Sequence, residues 1–287
     1  TKDPIVLRAV RLAERHTVSD QPQARLRLYN RLKTQRLLLH DAYLLFVRLS
    51  ESEEIHSFAA EWLLDNYYIV QQAMRQILED MPAKFYRQLP KLSSTRLAGN
   101  PRVYALALEL VYLNDARIDT NFMEQFVNAY QTASPLTMGE LWALPVMLRF
   151  SIIEALTQAA IRVLDIGTLD EGRPGDAVSP DISSDTVVAN CIISLRTLAT
   201  YDWKAFFEKE SLVERVLERD PAQVYAKMEF ETRYQYRKVI EDIALEMHHS
   251  EVDLARIAIR LAREAQTQNG QADEPGWRKT HVGYYLV

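Results

Sequence analysis

The sequence predicts an all-α fold, a multi-helix globular array of about ten helices with almost no sheet. Three observations carry that expectation. Glycine is scarce, 8 of 287 residues, where average usage gives roughly 20. Apolar residues recur at three-, four- and seven-residue spacings through most of the chain. Helix-start signals precede those stretches, while hairpin signals do not occur: the one Asn-Gly, at 269–270, sits in a polar stretch.

The elements follow in order. A short helix fits Pro4–His16, and Asp20–Gln23 reads as a turn. In Pro22–Ser50 the stripe is Leu28, Leu32, Leu39, Tyr43, Phe46 and Leu49. From Ser50 to Asp80 it is Ile55, Ala59, Trp62, Asn66, Ile69, Ala73 and Ile77. Met81-Pro82 and Leu89-Pro90 break the chain around AKFYRQL. Helices then fit Pro101–Asn114, Asp119–Thr132 and Met138–Asp165, and, beyond a loop, Asp185–Thr200, Asp202–Arg219, Pro221–Met228, Thr232–His248 and Glu251–Thr267. Ser50-x-x-Glu53, Thr137-x-x-Glu140 and Ser250-x-x-Asp253 read as capping boxes or near variants. Asn100-Pro101 and Asp220-Pro221 set a good cap before a Pro suited to the first turn.

The loop, Ile166–Ser184, carries three Gly and two Pro and is unusually long for a compact domain. The expected organisation is an N-terminal helical hairpin over 1–50, a first lobe over 51–165, a variable loop over 166–184 and a second lobe over 185–287. The net charge of −5 argues against sequence-independent nucleic-acid binding. Cys191 is the single cysteine, so no internal disulfide forms; in VVANCIISL it reads as buried and inert. The chain opens TKDPIVLRAV, without Met or a leader pattern, as an excerpt of a longer protein would. The most apolar region, Leu136–Leu164, contains Glu140, Arg149, Glu154 and Arg162, too many charges for a simple membrane span.

Few residues suggest chemistry. Glu61 and Asp65 share a helix edge beside Trp62, where paired carboxylates hold metals in some helical proteins. No Glu-x-x-His partner motif occurs, and a solvated edge is the plainer reading. Asn66 lies on the apolar stripe and calls for a hydrogen bond between helices. Glu140, third after Thr137, suits a cap. Arg149 shares an apolar face with Trp142, Val146, Ile153 and Leu156, and needs a carboxylate, carbonyls or an aromatic ring. Pro145 removes the bond to Leu141 and should kink its helix. Tyr225, Phe230, Tyr234 and Tyr236 among Arg233, Arg237 and Lys238 suit either a stacking platform or an ordinary packed helix, the latter favoured. His248-His249 and Ser250 loosely suggest a helix-turn-helix, but Glu251 and Asp253 would meet phosphates. No P-loop, G-x-G-x-x-G, G-x-S-x-G or H-E-x-x-H appears.

Several pieces in matching order carry a family likeness: AEWLLDNYYIV (60–70), FYRQLPKL (85–92), LAGNPRVYALALELV (97–111), PLTMGELWALPVMLRF (135–150), the run DWKAFFEKESLVERVLERDPAQVYAKMEFETRYQYR (202–237) and HVGYYL (281–286). From about Ser52 to Val287 the chain resembles the N-terminal helical region of the bacterial cyclic β-1,2-glucan synthases; GRPGDAVSPD departs from the pattern. The resemblance implies a cytoplasmic module on the inner membrane, attached to a membrane-associated glycosyltransferase that polymerises and cyclises glucose from UDP-glucose. That transferase would use Mg²⁺ or Mn²⁺ with D-x-D and Q-x-x-R-W motifs. Neither is present here: Gln72 and Arg75 have the spacing, but Gln76 stands where Trp belongs. The expectation is therefore a region with no catalytic residue, metal or cofactor of its own, whose partners are the remaining domains of its polypeptide. Its apolar ending, PGWRKTHVGYYLV, should pack back on the helices. The rival class is an autonomous helical carbohydrate-binding or carbohydrate-active domain. Its candidate binding residues are Trp62, Asp65, Arg102, Trp142 and Arg149, with Glu61 and Glu109 nearby in sequence. Convergence on one open cleft would favour that class; closure into buried ion pairs would favour a scaffold.

Overall fold

A computed structural model of the chain describes residues 3–19, 27–52, 57–164, 183–269 and 276–286. It is all-α. The described residues form α1 (Pro4–Arg15), α2 (Arg27–Glu51), α3 (Phe58–Asp80), α4 (Ala83–Gln88), α5 (Arg102–Leu113), α6 (Thr120–Ala133), α7 (Met138–Val163), α8 (Ser184–Thr200), α9 (Trp203–Glu210), α10 (Leu212–Leu217), α11 (Phe230–Met247) and α12 (Glu251–Asn269). The only strands among them are two residues each: β1 (Val18–Ser19) pairs antiparallel with β2 (Lys91–Leu92), Val18 opposite Leu92.

Two compact units emerge. One is Thr1–Ser134 with Gly139–Trp203; the other is Pro135–Met138 with Lys204–Val287. The expected segments 1–50 and 51–165 thus fall almost wholly in the first unit, and 185–287 is divided at Trp203. The loop expected over 166–184 lies outside the described residues apart from Ser183 and Ser184.

In the first unit α7 supplies the largest single share of the core. Every residue from Ala143 to Thr157 is buried, and 89% of its most apolar window is covered. It is long and apolar enough to cross a membrane, but that burial marks a core helix of a folded domain. It runs without interruption through Pro145. The small buried faces of α1 (Ala9, Ala13) pack on α6, and α3 packs on α8.

Several helix starts differ from the expected ones. Ser50 lies inside α2, and the cap of α3 is Ser57. Asp185 assists there, accepting the Ala59 N–H at 2.7 Å from the first turn of α8. Asn100 does not cap α5; its side chain donates to the Leu97 carbonyl, and Pro101 enters the helix from a bridge to Lys91. Ser250 caps α12 as expected, accepting from Asp253 N–H, and Asp119 caps α6, accepting from Phe122 N–H.

In the second unit the single helix expected over Asp202–Arg219 is two, broken at Ser211, whose hydroxyl accepts the Glu214 N–H to start α10. The helix expected over Pro221–Met228 is a turn with one 3-10 stretch, Tyr225–Lys227. Asp220 does not cap a helix: its carboxylate accepts from Val224 and Tyr225 N–H, and from Val282 N–H of the C-terminal segment. That segment, two 3-10 turns over Gly276–Thr280 and Val282–Tyr285, packs back on α12 and buries Val282 and Leu286. Tyr285 donates to the Leu261 carbonyl at 3.2 Å.

Candidate functional site

The densest concentration of buried ionisable groups lies in the first unit, where α5, α6 and α7 meet the β1–β2 pair. Arg102 opens α5 at 5% exposure and Glu140 lies in the first turn of α7 at zero exposure. The guanidinium reaches both carboxylate oxygens, Nε to Oε1 at 2.8 Å and Nη2 to Oε2 at 2.5 Å. Its third nitrogen donates to Ser134 Oγ at 2.7 Å. Two parallel charge-assisted bonds are the strongest form of this pairing, and they raise the Arg102 pKa although burial alone would lower it. Glu140 was expected to cap α7; its carboxylate is engaged by Arg102, a non-local role that a capping pattern cannot announce.

Around that pair the surroundings are titratable and dry. His16 Nδ1 lies 2.8 Å from Tyr130 Oη. Burial and then the Arg102 charge push His16 down to about 4, so it is neutral near pH 7. Lys91, 2% exposed, donates to the Tyr86 carbonyl and lies 4.0 Å from the Tyr86 ring centroid. Burial lowers it to about 7, with Glu140 pulling the other way. Sequence reading found neither His16 nor Lys91, because each partner lies more than seventy residues away or is a backbone carbonyl.

Further along α7, Glu154 is 1% exposed and accepts from Arg31 of α2 and from the Tyr104 hydroxyl at 2.6 Å. Burial and the neighbouring carboxylate hold the Tyr104 phenol well above its ordinary value. Arg149, between the two buried carboxylates, is paired more loosely. One nitrogen donates to the Leu198 carbonyl at 3.3 Å and another lies 3.9 Å from Asp80, whose side chain is 54% exposed. Burial lowers its pKa despite Asp80.

The other candidates lie apart. Trp62 is half-buried on α3 with its ring 5.6 Å from Phe58, and Glu61 and Asp65 are exposed. Asp80, the Arg149 partner, is fifteen residues on, about 22 Å along the same helix. Asn66 makes the link between helices expected of it: its side-chain oxygen accepts from Arg196 of α8. Trp142 is half-buried on α7, and Glu109 pairs with Arg8 at 2.6 Å. So the structure joins Arg102 to Glu140, while Trp62 and Asp65 share a different helix and Arg149 sits nine residues along α7 from Glu140, about 13 Å. Among the described residues no three His, Cys, Asp or Glu side chains converge as metal ligands. Cys191 is fully buried, its thiol raised by burial and directed at the Ile152 carbonyl.

In the second unit the aromatic and basic residues of α11 are packed, not displayed. Glu214, at zero exposure, accepts from Arg233, Arg237 and the Tyr225 hydroxyl. Arg237, 1% exposed, lies over the rings of Phe207 and Phe230, 5.2 and 4.8 Å from their centroids. Asp220 binds His281 Nδ1 at 2.8 Å. Burial would raise its pKa, but this bond and three backbone N–H donors lower it.

Sequence comparison supplies what the geometry does not. No family model matches the chain. A curated relative does: the cyclic β-(1,2)-glucan synthase NdvB of Rhizobium meliloti (strain 1021), 29% identical over 299 aligned positions. The chain is similar to part of a glucan synthase. The alignment takes in 80% of this chain but 10% of that protein, so the chain spans about a tenth of the relative's length. The resemblance read from the sequence therefore stands, and it concerns one region of a much larger polypeptide.

Proposed function

We infer that this chain is a non-catalytic helical region of a cyclic β-1,2-glucan synthase, one that scaffolds or regulates the glycosyltransferase of the same polypeptide. The observation that carries the reading is the match of four-fifths of the chain to a tenth of such a synthase. Supporting it, Arg102 and Glu140 are engaged with each other in a buried pair instead of lining an open cleft. The proposal includes a place on the cytoplasmic side of the inner membrane. UDP-glucose and Mg²⁺ or Mn²⁺ belong to the transferase portion, and the C-terminal segment packed on α12 leads the chain towards it.

A carbohydrate-binding role is the second reading, favoured by one observation: Phe58 and Tyr68 of α3 are 52% and 61% exposed beside Trp62 and Asp65. Aromatic faces next to carboxylates suit sugar rings.

The two readings part in one experiment. The isolated chain, incubated with UDP-glucose and Mg²⁺, releases no UDP above a buffer control. Membranes carrying the full synthase lose glucan synthesis when this region is deleted and keep it when Trp62 and Asp65 become Ala. UDP release that depends on Asp65 or Glu140 overturns the non-catalytic reading. Loss of glucan binding in the Trp62 and Asp65 variants supports the second.

A further inference from the structure

We propose that the groove between α2 and α3 binds a small organic phosphate, its anionic group held between Arg36 and Arg75 and its apolar body laid on Leu37, Met74 and Leu78. The inference is independent of the glucan-synthase reading and rests on the groove alone.

The groove has a volume of about 400 Å³, within the range of small-molecule sites. Two helix faces form it. From α3 come Tyr67, Gln71, Met74, Arg75 and Leu78, at the spacing of one helical face; from α2 come Arg36, Leu37 and His40. Its floor is fixed: Tyr67 is 8% exposed and stacks on Tyr43 with ring centroids 4.2 Å apart. Its rim is not satisfied. Leu37 is 61% exposed and Leu78 44%.

The charge lining has one sign. Arg36 and Arg75 both face this space, and among the described residues neither is engaged in an ion pair or hydrogen bond, although the nearby Asp41 and Glu79 are exposed and could have supplied one. No carboxylate lines the groove; His40 and Gln71 add further donors. The second unit's open groove, about 490 Å³, shows the contrast: Glu218 and Asp220 there offset Arg219 and Arg263. Two guanidiniums on facing helices, with a carboxylate-free wall and apolar ground between them, match a phosphate joined to an apolar ring. Phosphate takes the planar guanidinium fork in two parallel bonds. A bare phosphate would leave Leu37 and Leu78 in water, and a neutral ring would leave the two cations unmatched.

The test uses the whole chain and 1-naphthyl phosphate, titrated calorimetrically. One saturable site with a Kd below about 1 mM is expected. Arg36→Gln with Arg75→Gln should weaken it at least tenfold, with far-UV circular dichroism and melting temperature unchanged. Neutral 1-naphthol should bind at least tenfold more weakly than the phosphate, and inorganic phosphate should compete. Unchanged affinity in the folded double variant places binding elsewhere and overturns the proposal. Equal binding of 1-naphthol reduces the groove to an apolar patch and overturns it as well, as does no saturation in the stated range. If phosphatidylglycerol vesicles bind in an Arg36- and Arg75-dependent manner while 1-naphthyl phosphate does not, the face contacts a lipid surface and the small-ligand proposal fails.

Discussion

In the first unit a buried carboxylate is held by one guanidinium: both oxygens of Glu140 accept from Arg102. In the second, Glu214 accepts from Arg233, Arg237 and the Tyr225 hydroxyl, and Arg233 reaches a second carboxylate, Glu208. The first arrangement is neutral and closed. The second shares one buried anion between two cations: Arg233 has Glu208 as another partner, whereas the Arg237 guanidinium lies on the faces of Phe207 and Phe230, with its Nε and Nη2 unpartnered among the described residues. The lesson is one of asymmetry. A matched pair can be removed as a unit, because neither partner is left facing a missing charge; a shared acceptor cannot, because its loss strands Arg237 and the Tyr225 hydroxyl in a dry core.

The largest effect should therefore come from Glu214→Ala, which deprives buried Arg237 and the Tyr225 hydroxyl of their acceptor while Arg233 keeps Glu208. We expect destabilisation on the order of 4–5 kcal/mol, the top of the range for a broken buried pair, read by urea unfolding with hydrogen exchange localised to residues 204–269. A smaller effect than Glu140→Ala would break the comparison. Glu140→Ala should cost about 3–4 kcal/mol by stranding Arg102. Arg102→Met with Glu140→Leu should recover most of that loss, within about 1 kcal/mol of the parent, because the pair leaves together. No such recovery would mean that the pair does more than neutralise itself.

Acid should separate the units next. Burial and the Arg102 charge bring His16 down from its ordinary value of 6.5 to about 4 in the fold. The unfolded chain binds more protons between those values, so stability falls as pH drops from about 6.5 towards 4, by roughly 3 kcal/mol in all. Asp220 in the second unit has a lowered pKa, so its contribution is intact above about 3.8 and lost only below. Urea melts at stepped pH should show the first unit weakening in the earlier window, and His16→Phe should flatten that dependence. A second unit that fails first would reverse the assignment.

The smallest effect belongs to Arg149→Ala, about 1–2 kcal/mol. An arginine on an apolar face invites the expectation of a buried partner and a larger loss. Its carboxylate, Asp80, is more than half exposed and stays solvated when the guanidinium goes, so mainly the Leu198 carbonyl is deprived. A loss above about 3 kcal/mol in urea unfolding would show that Asp80 counts as a buried partner after all.

These cases show what the sequence makes legible. Helices are readable because the 3.6-residue period is local, and α2, α3, α6, α7, α11 and α12 lie close to where the apolar stripes put them. The break at Ser211 is readable too: Ser211-x-x-Glu214 has the capping-box pattern inside a continuous apolar stretch, and Ser211 supplies the cap although the Glu214 carboxylate goes to Arg233, Arg237 and Tyr225. The β1–β2 pair was not, since two residues cannot display a period of two. The buried pairs were invisible for a stronger reason. Arg102 and Glu140 are 38 residues apart and Arg31 and Glu154 are 123 apart, and no local spacing rule links such positions. The same holds for the α2–α3 groove, whose basic character appears only when Arg36 and Arg75 are brought to one space.

The burial of α7 has a consequence during synthesis. Its 26 residues satisfy the length and apolarity that membrane-insertion machinery selects for, so as nascent chain it is a potential stop. Arg149 lies close to its midpoint, where one arginine raises the apparent insertion free energy by roughly 2.5–3.5 kcal/mol, and Glu154 follows within two turns. The same charges that are neutralised in the folded core therefore also oppose insertion of the isolated helix into lipid.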